Sequence, residues 1–286
     1  MIITRLIGGL GNQMFQYAAG RRLALRHGTT LKMDISPFSK YERQAYCLTH
    51  FNIIENIATE EELKPFHLGA LGKLADRFLG KTHGTPEIRE KHFHFDPEIL
   101  DAPDNVMLAG YWQSEKYFQD AEEIIRGEFT IKTPQAGQDL ELASILRGSN
   151  SVSLHIRRRD YVLDPKTNQT HGTCSLEYYG NSTNYLAKRI GALRLFVFSD
   201  DIPWARENLR IPHAVTFVDH NDASRNYEDL RLMSQCEHHI IANSTFSWWA
   251  AWLGTNPARI VCAPARWFKD PRHNTRDIYP ADWVRI

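Results

Sequence analysis

The sequence predicts an α/β protein of two domains, each built on a parallel β-sheet. Apolar runs of strand length alternate with helical patterns along most of the 286 residues, which is typical of parallel strands joined by crossover helices. The strand-like runs of the second half are almost continuously apolar, as expected for strands covered on both faces. A segment rich in Thr, Pro, Gly and Gln, "TIKTPQAGQ", predicts a boundary between domains 1–135 and 136–286, with a ligand cleft between them.

In the first half, a strand, a helix and a second strand are predicted before residue 35, and less regular elements follow. The strand-like runs are "MIITRL", "TTLKM" and "NVMLAGYW", and the helical patterns cover 13–27, 58–66, 69–79 and 115–129. In the second half, a strand–helix unit is repeated four times. Its strands are "SVSLHIR", "LRLFVFSD", "AVTFV", "HHIIAN" and "RIVCAP", with helices near 176–190, 203–209, 226–236 and 246–253.

Composition argues against several kinds of partner. Lys plus Arg and Asp plus Glu both number 34, so the formal net charge is zero, and neither nucleic acid nor bulk membrane binding is indicated. The four cysteines show no C-x-x-C spacing, so no zinc site or disulfide framework is expected. The chain begins in a strand-like run and has no apolar window of membrane-spanning length. We expect a cytoplasmic protein without a membrane span, compatible with peripheral association at the inner face of the membrane.

The stretch "IGGLGNQMFQYA", residues 7–18, has features of a dinucleotide-binding loop. A strand is followed by Gly9-x-Gly11 and a helix, and an acid, Asp34, comes later in the chain, as in loops that bind NAD(P). However, Met14 occupies the position of the third glycine of that motif. Glycines that only turn the chain between strand and helix explain the pattern equally well. An NAD(P)-dependent oxidoreductase is therefore one alternative function.

Unusual residues follow the strands of the second half, where parallel α/β sheets bind ligands. In "HIRRRDY", three arginines end a strand, with Asp160 beside them. Guanidinium groups at this position suit bidentate binding of phosphate oxygens, and a solvated, salt-bridged surface loop is an equal alternative. His155 is either a core histidine or a ligand contact.

A second strand end, "FVFSDD", carries Ser199, Asp200 and Asp201. The two carboxylates could bind a metal, a ribose or a guanine edge, but capping of the next helix by one of them is the favoured role. The histidines show no H-x-x-x-H spacing, and Asp-x-Asp does not occur. A divalent metal that binds a pyrophosphate is therefore not supported.

A third strand end, "IIANSTFSWWAAWLG", leads into a helix that is apolar on nearly every face and must be buried. The N–H groups of its first turn, with the hydroxyls of Ser244, Thr245 and Ser247, would form an anion site. Its three tryptophans are interpreted as core residues rather than as a sugar platform. Together, the strand ends predict a pyrophosphate site of arginine and a helix N-terminus, without metal, as in a sugar-nucleotide transferase.

These motifs resemble the α-1,2-fucosyltransferases of glycosyltransferase family 11. The resemblance spans the whole chain and rests on "GGLGNQMFQYAAGRRLA", "HIRRRDY", "FVFSDD" and "IIANSTFSWWAAWLG", in that order and spacing. It implies a GT-B-like fold of two Rossmann-like domains that face each other across a cleft. It also implies GDP-L-fucose as co-substrate, inversion at the anomeric carbon, and no metal or cofactor. The acceptor it implies is a terminal β-galactose of an oligosaccharide or lipid-linked glycan, bound on the side of residues 1–135, while residues 136–286 bind GDP-fucose.

Carried over residue by residue, the resemblance implies that Arg157 holds the β-phosphate of the leaving GDP. His155 and Asp201 would lie near the guanine or ribose, and Asn12 would reach across the cleft toward the phosphate or fucose. Arg159 stands where the family often has glycine, which affects the local loop shape. The nucleotide-binding residues predicted from the resemblance and from the strand ends together are Gly11, Asn12, His155, Arg157, Arg158, Ser199, Asp201, Ser244, Thr245, Phe246 and Ser247.

The predicted catalytic residues are Arg157 and Asn12, from the resemblance, and Asp160, from its place beside the arginines. The acceptor hydroxyl attacks fucose C1 from the face opposite GDP, and this step needs a general base for the hydroxyl proton. Asp160 is the first candidate, and an equal alternative is that Asp160 only orients Arg157 through an ion pair. A non-catalytic protein that binds a glycan or a nucleotide on the same scaffold is the remaining alternative function.

Overall fold

The computed structural model describes residues 1–40, 45–67, 86–147 and 149–286, and for Lys40, His67 and Asp160 it describes the backbone without the side chain. The helix predicted over 69–79 lies outside these residues. By its internal contacts the chain divides into two units, Met1–Thr130 and Ile131–Ile286. The predicted cleft and the assignment of acceptor and donor to the two domains stay predictions.

The unit Met1–Thr130 contains a parallel sheet of four described strands in the order β2-β1-β4-β3. Its elements are β1 (Ile2–Arg5), α1 (Leu10–His27), β2 (Leu31–Asp34), α2 (Glu60–His67), β3 (Glu87–Arg89), β4 (Val106–Ala109) and α3 (Glu122–Glu128). Because β2 and β4 lie on opposite sides of β1, the order of the strands reverses between β1 and β4, and a crevice is expected at their carboxyl ends.

The predictions for this unit were right for most elements and wrong at several boundaries. The first helix begins at Leu10 instead of Gln13, and the first half of the helix predicted over 115–129 is replaced by 3₁₀ turns at Glu115–Tyr117 and Gln119–Ala121. Strand β3 was not predicted, because this short edge strand has the sequence Glu-Ile-Arg and no apolar run.

Helix α1 packs closely on the sheet through Gly20 rather than through the position that Met14 occupies. A Cβ atom at Gly20 would lie 2.9 Å from Leu31 Cδ1 and 3.0 Å from Thr4 Cβ. Met14 is itself fully buried. The close approach that a third glycine provides in dinucleotide-binding loops therefore occurs further along this helix, at Gly20 instead of at position 14.

The unit Ile131–Ile286 contains a parallel sheet of six strands in the order β10-β9-β8-β5-β6-β7. Its elements are α4 (Gly137–Arg147), β5 (Ser151–Ile156), α5 (Arg159–Leu163), α6 (Pro165–Thr170), α7 (Leu176–Ile190), β6 (Arg194–Ser199), α8 (Ile202–Asn208), β7 (Ala214–Val218), α9 (Asn226–Ser234), β8 (His238–Ile240), α10 (Thr245–Leu253), β9 (Val261–Ala263) and β10 (Val284–Arg285). The chain runs outward from β5 to β7 and then returns to β8 on the other side of β5. This is the strand order of a six-stranded Rossmann sheet, with its switch point between β5 and β8.

The strand–helix series predicted for this half is confirmed, and helix α7 has the predicted bounds. All six residues of β5 are buried, as expected for a strand covered on both faces. The tryptophans of α10 are core residues: Trp248, Trp249 and Trp252 are at most 2% exposed, and Trp248 Nε1 donates to the Ile278 carbonyl at 2.6 Å. Helices α4, α5 and α6 and strand β10 were not predicted. Among the residues that the structure describes, no helix has the length and apolar character needed to cross a membrane.

A buried carboxylate, Asp139, fastens the first turn of α4 to the segment that follows β7. Asp139 is 1% exposed and accepts hydrogen bonds from Asn221 Nδ2 at 2.9 Å and from Arg225 Nη2 at 2.6 Å. His220 Nε2 lies 2.8 Å from the same carboxylate. At this depth a carboxyl group needs several donors to compensate for the loss of water.

Two buried histidines should make the protein less stable in acid. Burial lowers the pKa of His155 and of His239 to about 3, helped by the positive charges of Arg157 and Arg259 respectively. In the unfolded chain each takes up a proton near pH 6.5, so the stability from the neutral form is complete above that pH and is lost as the pH falls. The loss is about 2 kcal/mol for each histidine by about pH 5. Asp229, whose pKa burial raises to about 6, opposes this by a smaller amount.

Urea unfolding of the wild type and of His239→Gln at about pH 7.5 and about pH 5 checks this expectation. The free energy of unfolding should fall less on acidification in the variant, by about 2 kcal/mol. Equal losses in the two proteins would show that His239 is protonated in the folded state.

Candidate active site

The carboxyl ends of β5, β6 and β8 bring together most of the residues predicted to bind a nucleotide. Strand β5 pairs with β6 on one side and with β8 on the other. Arg157 and its neighbours follow β5, the Ser199–Asp201 segment ends β6, and Ser244 precedes α10. Because parallel strands place their carboxyl ends at one edge, these segments share the edge at which this sheet class binds ligands.

Asp200 holds the arginine segment, residues 157–159, in place. Its Oδ1 accepts the Arg158 backbone N–H at 2.8 Å, and its Oδ2 accepts the Arg159 backbone N–H at 3.2 Å. The same Oδ2 lies 3.1 Å from Arg157 Nη1. One carboxylate thus fixes both the backbone and the first guanidinium of the segment. Sequence patterns do not distinguish the two adjacent acids in this role, and the role of Asp200 was missed.

The Arg157 guanidinium is fixed in position but remains partly exposed to solvent. Its side chain is 34% exposed, and its Cζ lies 5.5 Å from the centre of the Tyr161 ring. Tyr161 in turn donates its hydroxyl to the Asn243 carbonyl at 3.2 Å, which connects the arginine segment to the residues after β8. The ion pair predicted between Arg157 and Asp160 involves a side chain outside the described residues, so that role stays a prediction.

Arg158 is engaged in a different way. Its Nε lies 3.3 Å from Asp201 Oδ2, and its Cζ lies 3.6 Å from the centre of the Trp204 ring. Asp201 also caps α8 by accepting the Trp204 N–H, and its own N–H donates to Ser199 Oγ. The favoured capping role is confirmed. The predicted contacts of Ser199 and Asp201 with a guanine or ribose stay predictions.

His155 and Phe246 join the end of β5 to the first turn of α10. Their ring centres are 5.5 Å apart, and His155 is 5% exposed. Burial and the charge of Arg157 lower the pKa of His155 to about 3, so the ring is neutral near pH 7. Its Nδ1 is buried and has no hydrogen-bond partner within the described part of the chain. The Nδ1 atom of a neutral ring in this position can form one hydrogen bond with a ligand, as donor or as acceptor according to the tautomer.

The start of α10 differs in detail from the prediction. Ser244 is the N-cap residue, but its side chain makes no capping hydrogen bond. The hydroxyl of Ser247 points back to the carbonyls of Ala242 and Ser244, at 3.4 and 3.2 Å, so its proton is used within the protein. Anion binding at this helix would therefore depend mainly on backbone N–H groups of its first turn, Thr245 and Phe246 among them.

Asn243, which was not predicted as a site residue, organises the loops around α10. It is 4% exposed, and its Nδ2 donates to the carbonyls of His171, Gly172 and Trp267. The signal in the sequence was an amide placed directly after an apolar strand, because such a buried group needs several partners.

In the other unit, the glycine loop leads into α1 at the carboxyl end of β1. Gly11 and Asn12 lie in the first turn of the helix, and Asn12 Oδ1 accepts a hydrogen bond from Gln113 Nε2 at 3.0 Å. Asp34, which a ribose would need in the oxidoreductase alternative, is fully buried. It is paired with Arg5 at 3.0 Å and accepts the Ser36 N–H. This acid is therefore not placed to bind a dinucleotide.

The fold places the chain in the α/β, GT-B-like class, as predicted. It is similar to the NodZ α-1,6-fucosyltransferase co-crystallised with GDP, with a TM-score of 0.50 and 13% identity over 87% of this chain and 91% of that one.

The family model described as "Glycosyl transferase family 11" matches residues 89–286. An Escherichia coli α-1,2-colitosyltransferase is 35% identical over 100% of this chain and 99% of its own length. The O-antigen biosynthesis glycosyltransferase WbnK of Escherichia coli is 30% identical over 98% and 99%, and human galactoside α-(1,2)-fucosyltransferase 1 is 27% identical over 86% and 63%. The chain belongs to glycosyl transferase family 11, which confirms the predicted family, and it is a glycosyltransferase.

Proposed function

We propose that this glycosyltransferase moves L-fucose from GDP-β-L-fucose to the 2-hydroxyl of a terminal β-galactose in an oligosaccharide or a lipid-linked glycan. The product is an α-1,2 linkage, formed with inversion and without a metal ion or cofactor. The names of the relatives support the 1,2 linkage and a donor sugar of the fucose type. The observation that carries the proposal is the partly exposed Arg157 guanidinium, fixed by Asp200 at the switch point of the sheet.

In the proposed reaction, the acceptor oxygen attacks C1 of fucose while the bond from C1 to the β-phosphate oxygen breaks. GDP leaves with the electron pair of that bond, and the hydroxyl proton passes to a general base, for which Asp160 is proposed. Arg157, Arg158 and the N–H groups of the first turn of α10 stabilise the charge on the leaving pyrophosphate. Gly11 and Asn12 are proposed to contact the fucose or phosphate end of the donor.

A transfer assay tests this function. The protein is incubated with GDP-fucose and a panel of galactose-terminated oligosaccharides, and the linkage of each product is analysed. Thermal protection is measured in parallel, because a ligand that binds only the folded state raises the melting temperature. Transfer to O2 of galactose and protection by GDP are expected. Protection by NADH but not by GDP would favour the oxidoreductase, and binding of GDP without transfer or hydrolysis would favour a non-catalytic protein.

The same assay should include a second sugar donor. The relative with 35% identity over the full length is named as a colitosyltransferase, so GDP-colitose is a candidate in place of GDP-fucose. Competition between the two donors at equal concentration compares their kcat/KM values directly. Faster transfer of colitose would keep the site and the 1,2 linkage and change only the sugar.

Asp200→Asn should lower kcat/KM for transfer by about 10- to 100-fold, the loss typical of a hydrogen-bonded charge. An asparagine has one acceptor oxygen, so it cannot serve the Arg158 and Arg159 N–H groups and also balance Arg157. Initial rates with GDP-fucose measure the effect. Asp219→Asn is the control, because Asp219 also follows a strand of this sheet and pairs with an exposed arginine, Arg206. Equal rates for the two variants would show that Asp200 does not hold Arg157 during the reaction.

Asp160→Asn separates a general base from a residue that only orients Arg157. If Asp160 is the general base, kcat of the Asp160→Asn variant should fall by about 10²–10⁴-fold with little change in GDP affinity. An orienting residue should mainly weaken the binding of GDP. Steady-state rates together with calorimetric titration of GDP distinguish the two roles.

A further inference from the structure

We propose that Gln113 is a positioning residue that fixes the orientation of the Asn12 side-chain amide, and that a strained loop after β4 exists to hold Gln113 in place. The catalytic part of this inference rests on the proposed function, in which Asn12 contacts the donor. The positioning part concerns only the unit Met1–Thr130.

The hydrogen bond between the two amides has a defined direction. Gln113 Nε2 donates to Asn12 Oδ1 at 3.0 Å, and Gln113 is 6% exposed. Because the carbonyl oxygen of Asn12 is taken by this bond, the Nδ2 group is placed on the opposite side of the amide. Gln113 thus selects one of the two amide orientations that Asn12 could otherwise adopt.

Gly8 provides the space for that orientation. It has a φ of +79°, and a Cβ atom there would lie 2.5 Å from Asn12 Nδ2. A side chain at this position would therefore push the Asn12 amide out of the place that Gln113 selects. The glycine and the glutamine act on opposite ends of the same amide.

The loop that carries Gln113 contains one strained backbone position. Trp112 has a φ of +55°, a left-handed conformation that is rare for a bulky residue and is retained where the surroundings enforce it. Glu90 enforces it here: its Oε2 accepts the Tyr111 N–H at 2.8 Å, and its Oε1 accepts the Trp112 N–H at 3.0 Å. Burial raises the pKa of Glu90, and the hydrogen bonds from the Tyr111 and Trp112 N–H groups partly offset that rise.

The strained loop is also fastened to α1. The Trp112 ring is 1% exposed, and the Gly110 carbonyl accepts a hydrogen bond from Gln16 Nε2 on α1 at 3.1 Å. Both ends of the Gln113–Asn12 pair therefore belong to one hydrogen-bonded group of residues at the carboxyl ends of β1 and β4. That edge is where the strand order of this sheet reverses and where ligands are expected.

The first experiment measures the Asn12 amide itself. In protein labelled with ¹⁵N-asparagine, the Nδ2 cross-peaks of Asn12 are assigned by their loss in Asn12→Ala. Gln113→Met keeps the size of the side chain and removes the donor, so it should shift or broaden these peaks. Gln135→Met is the matched control, because Gln135 makes an amide–amide bond with Gln235 in the other unit, and it should leave them unchanged. Unchanged Asn12 peaks in Gln113→Met would overturn the positioning role.

The second experiment is a double-mutant cycle on transfer from GDP-fucose. Gln113→Met should lower kcat about tenfold with little change in the KM for GDP-fucose. It should have no further effect in the Asn12→Ala background, because Gln113 acts through Asn12. An equal loss in both backgrounds would overturn the proposal, since Gln113 would then act by another route.

Gln113→Glu tests the direction of the hydrogen bond. A carboxylate can only accept, so it would turn the Asn12 amide around, and kcat should fall at least as far as in Gln113→Met. Wild-type kcat in Gln113→Glu would overturn the assigned direction. If the wild type transfers no sugar from GDP-fucose or GDP-colitose, the proposed function and the catalytic part of this inference both fail, while the amide spectra still decide the positioning part.

Discussion

Replacing Arg157 with alanine is expected to lower kcat/KM for sugar transfer by about 10²–10³-fold, the loss typical of one donor to a developing negative charge. The guanidinium is fixed at 3.1 Å from Asp200 and remains 34% exposed, so it is held in one place and open to a ligand, as the proposed contact with the leaving pyrophosphate requires. Initial rates at several GDP-fucose concentrations measure the loss, and calorimetric titration of GDP separates the contribution of ground-state binding.

The melting temperature of Arg157→Ala should stay close to that of the wild type, because a partly exposed ion pair contributes little to stability. Arg189→Ala is a matched control, since Arg189 stacks on Tyr185 at 3.4 Å on a helix of the same unit. It should retain full activity. A kcat/KM within a factor of about three of the wild type for Arg157→Ala would remove Arg157 from the catalytic residues.

Asp139→Ala is expected to lower the free energy of unfolding of Ile131–Ile286 by about 3 kcal/mol, because the Arg225 guanidinium and the His220 ring lose their buried acceptor and Asn221 keeps only Asp229. This loss of stability is at the low end for a buried ion pair, because the Arg225 side chain is 49% exposed. Urea unfolding followed by tryptophan fluorescence measures the effect. Six of the seven tryptophans lie in this unit, at positions 204, 248, 249, 252, 267 and 283.

Asp219→Ala provides the comparison. Asp219 and Arg206 form an ion pair of 2.6 Å with side chains that are 54% and 49% exposed, so its loss should cost less than about 1 kcal/mol. Similar losses for Asp139→Ala and Asp219→Ala would show that the Asp139 network is as well solvated as the surface pair.

Much of the candidate site could be predicted because the strand ends are local features of the sequence. Three arginines after "SVSLHI", two acids after "LRLFVF" and the polar residues after "HHII" all follow apolar runs. A parallel sheet brings such residues to one edge whatever the details of packing. The choice between adjacent residues could not be made in this way. Asp200 and Asp201 look alike in sequence, but one holds the arginine segment and the other caps α8.

Several interactions of the candidate site join residues that are far apart in sequence, so local sequence patterns could not predict them. Gln113 lies 101 positions from Asn12, and Glu90 directly follows a short edge strand, β3, whose sequence contains no apolar run. The strain at Trp112 depends on hydrogen bonds to Glu90 between the segments that follow β3 and β4. None of these relations has a periodicity or spacing that a single sequence reveals.

The sequence by itself determined the α/β class, the strand–helix series of the second half and the family, because these depend on apolar periodicity and on short motifs that fold locally. The tertiary structure decided which charges pair, which hydroxyls are used within the protein and which amide orientation Asn12 adopts. Those outcomes depend on distances of about 3 Å between groups from different elements, where burial makes every unmatched donor or acceptor costly.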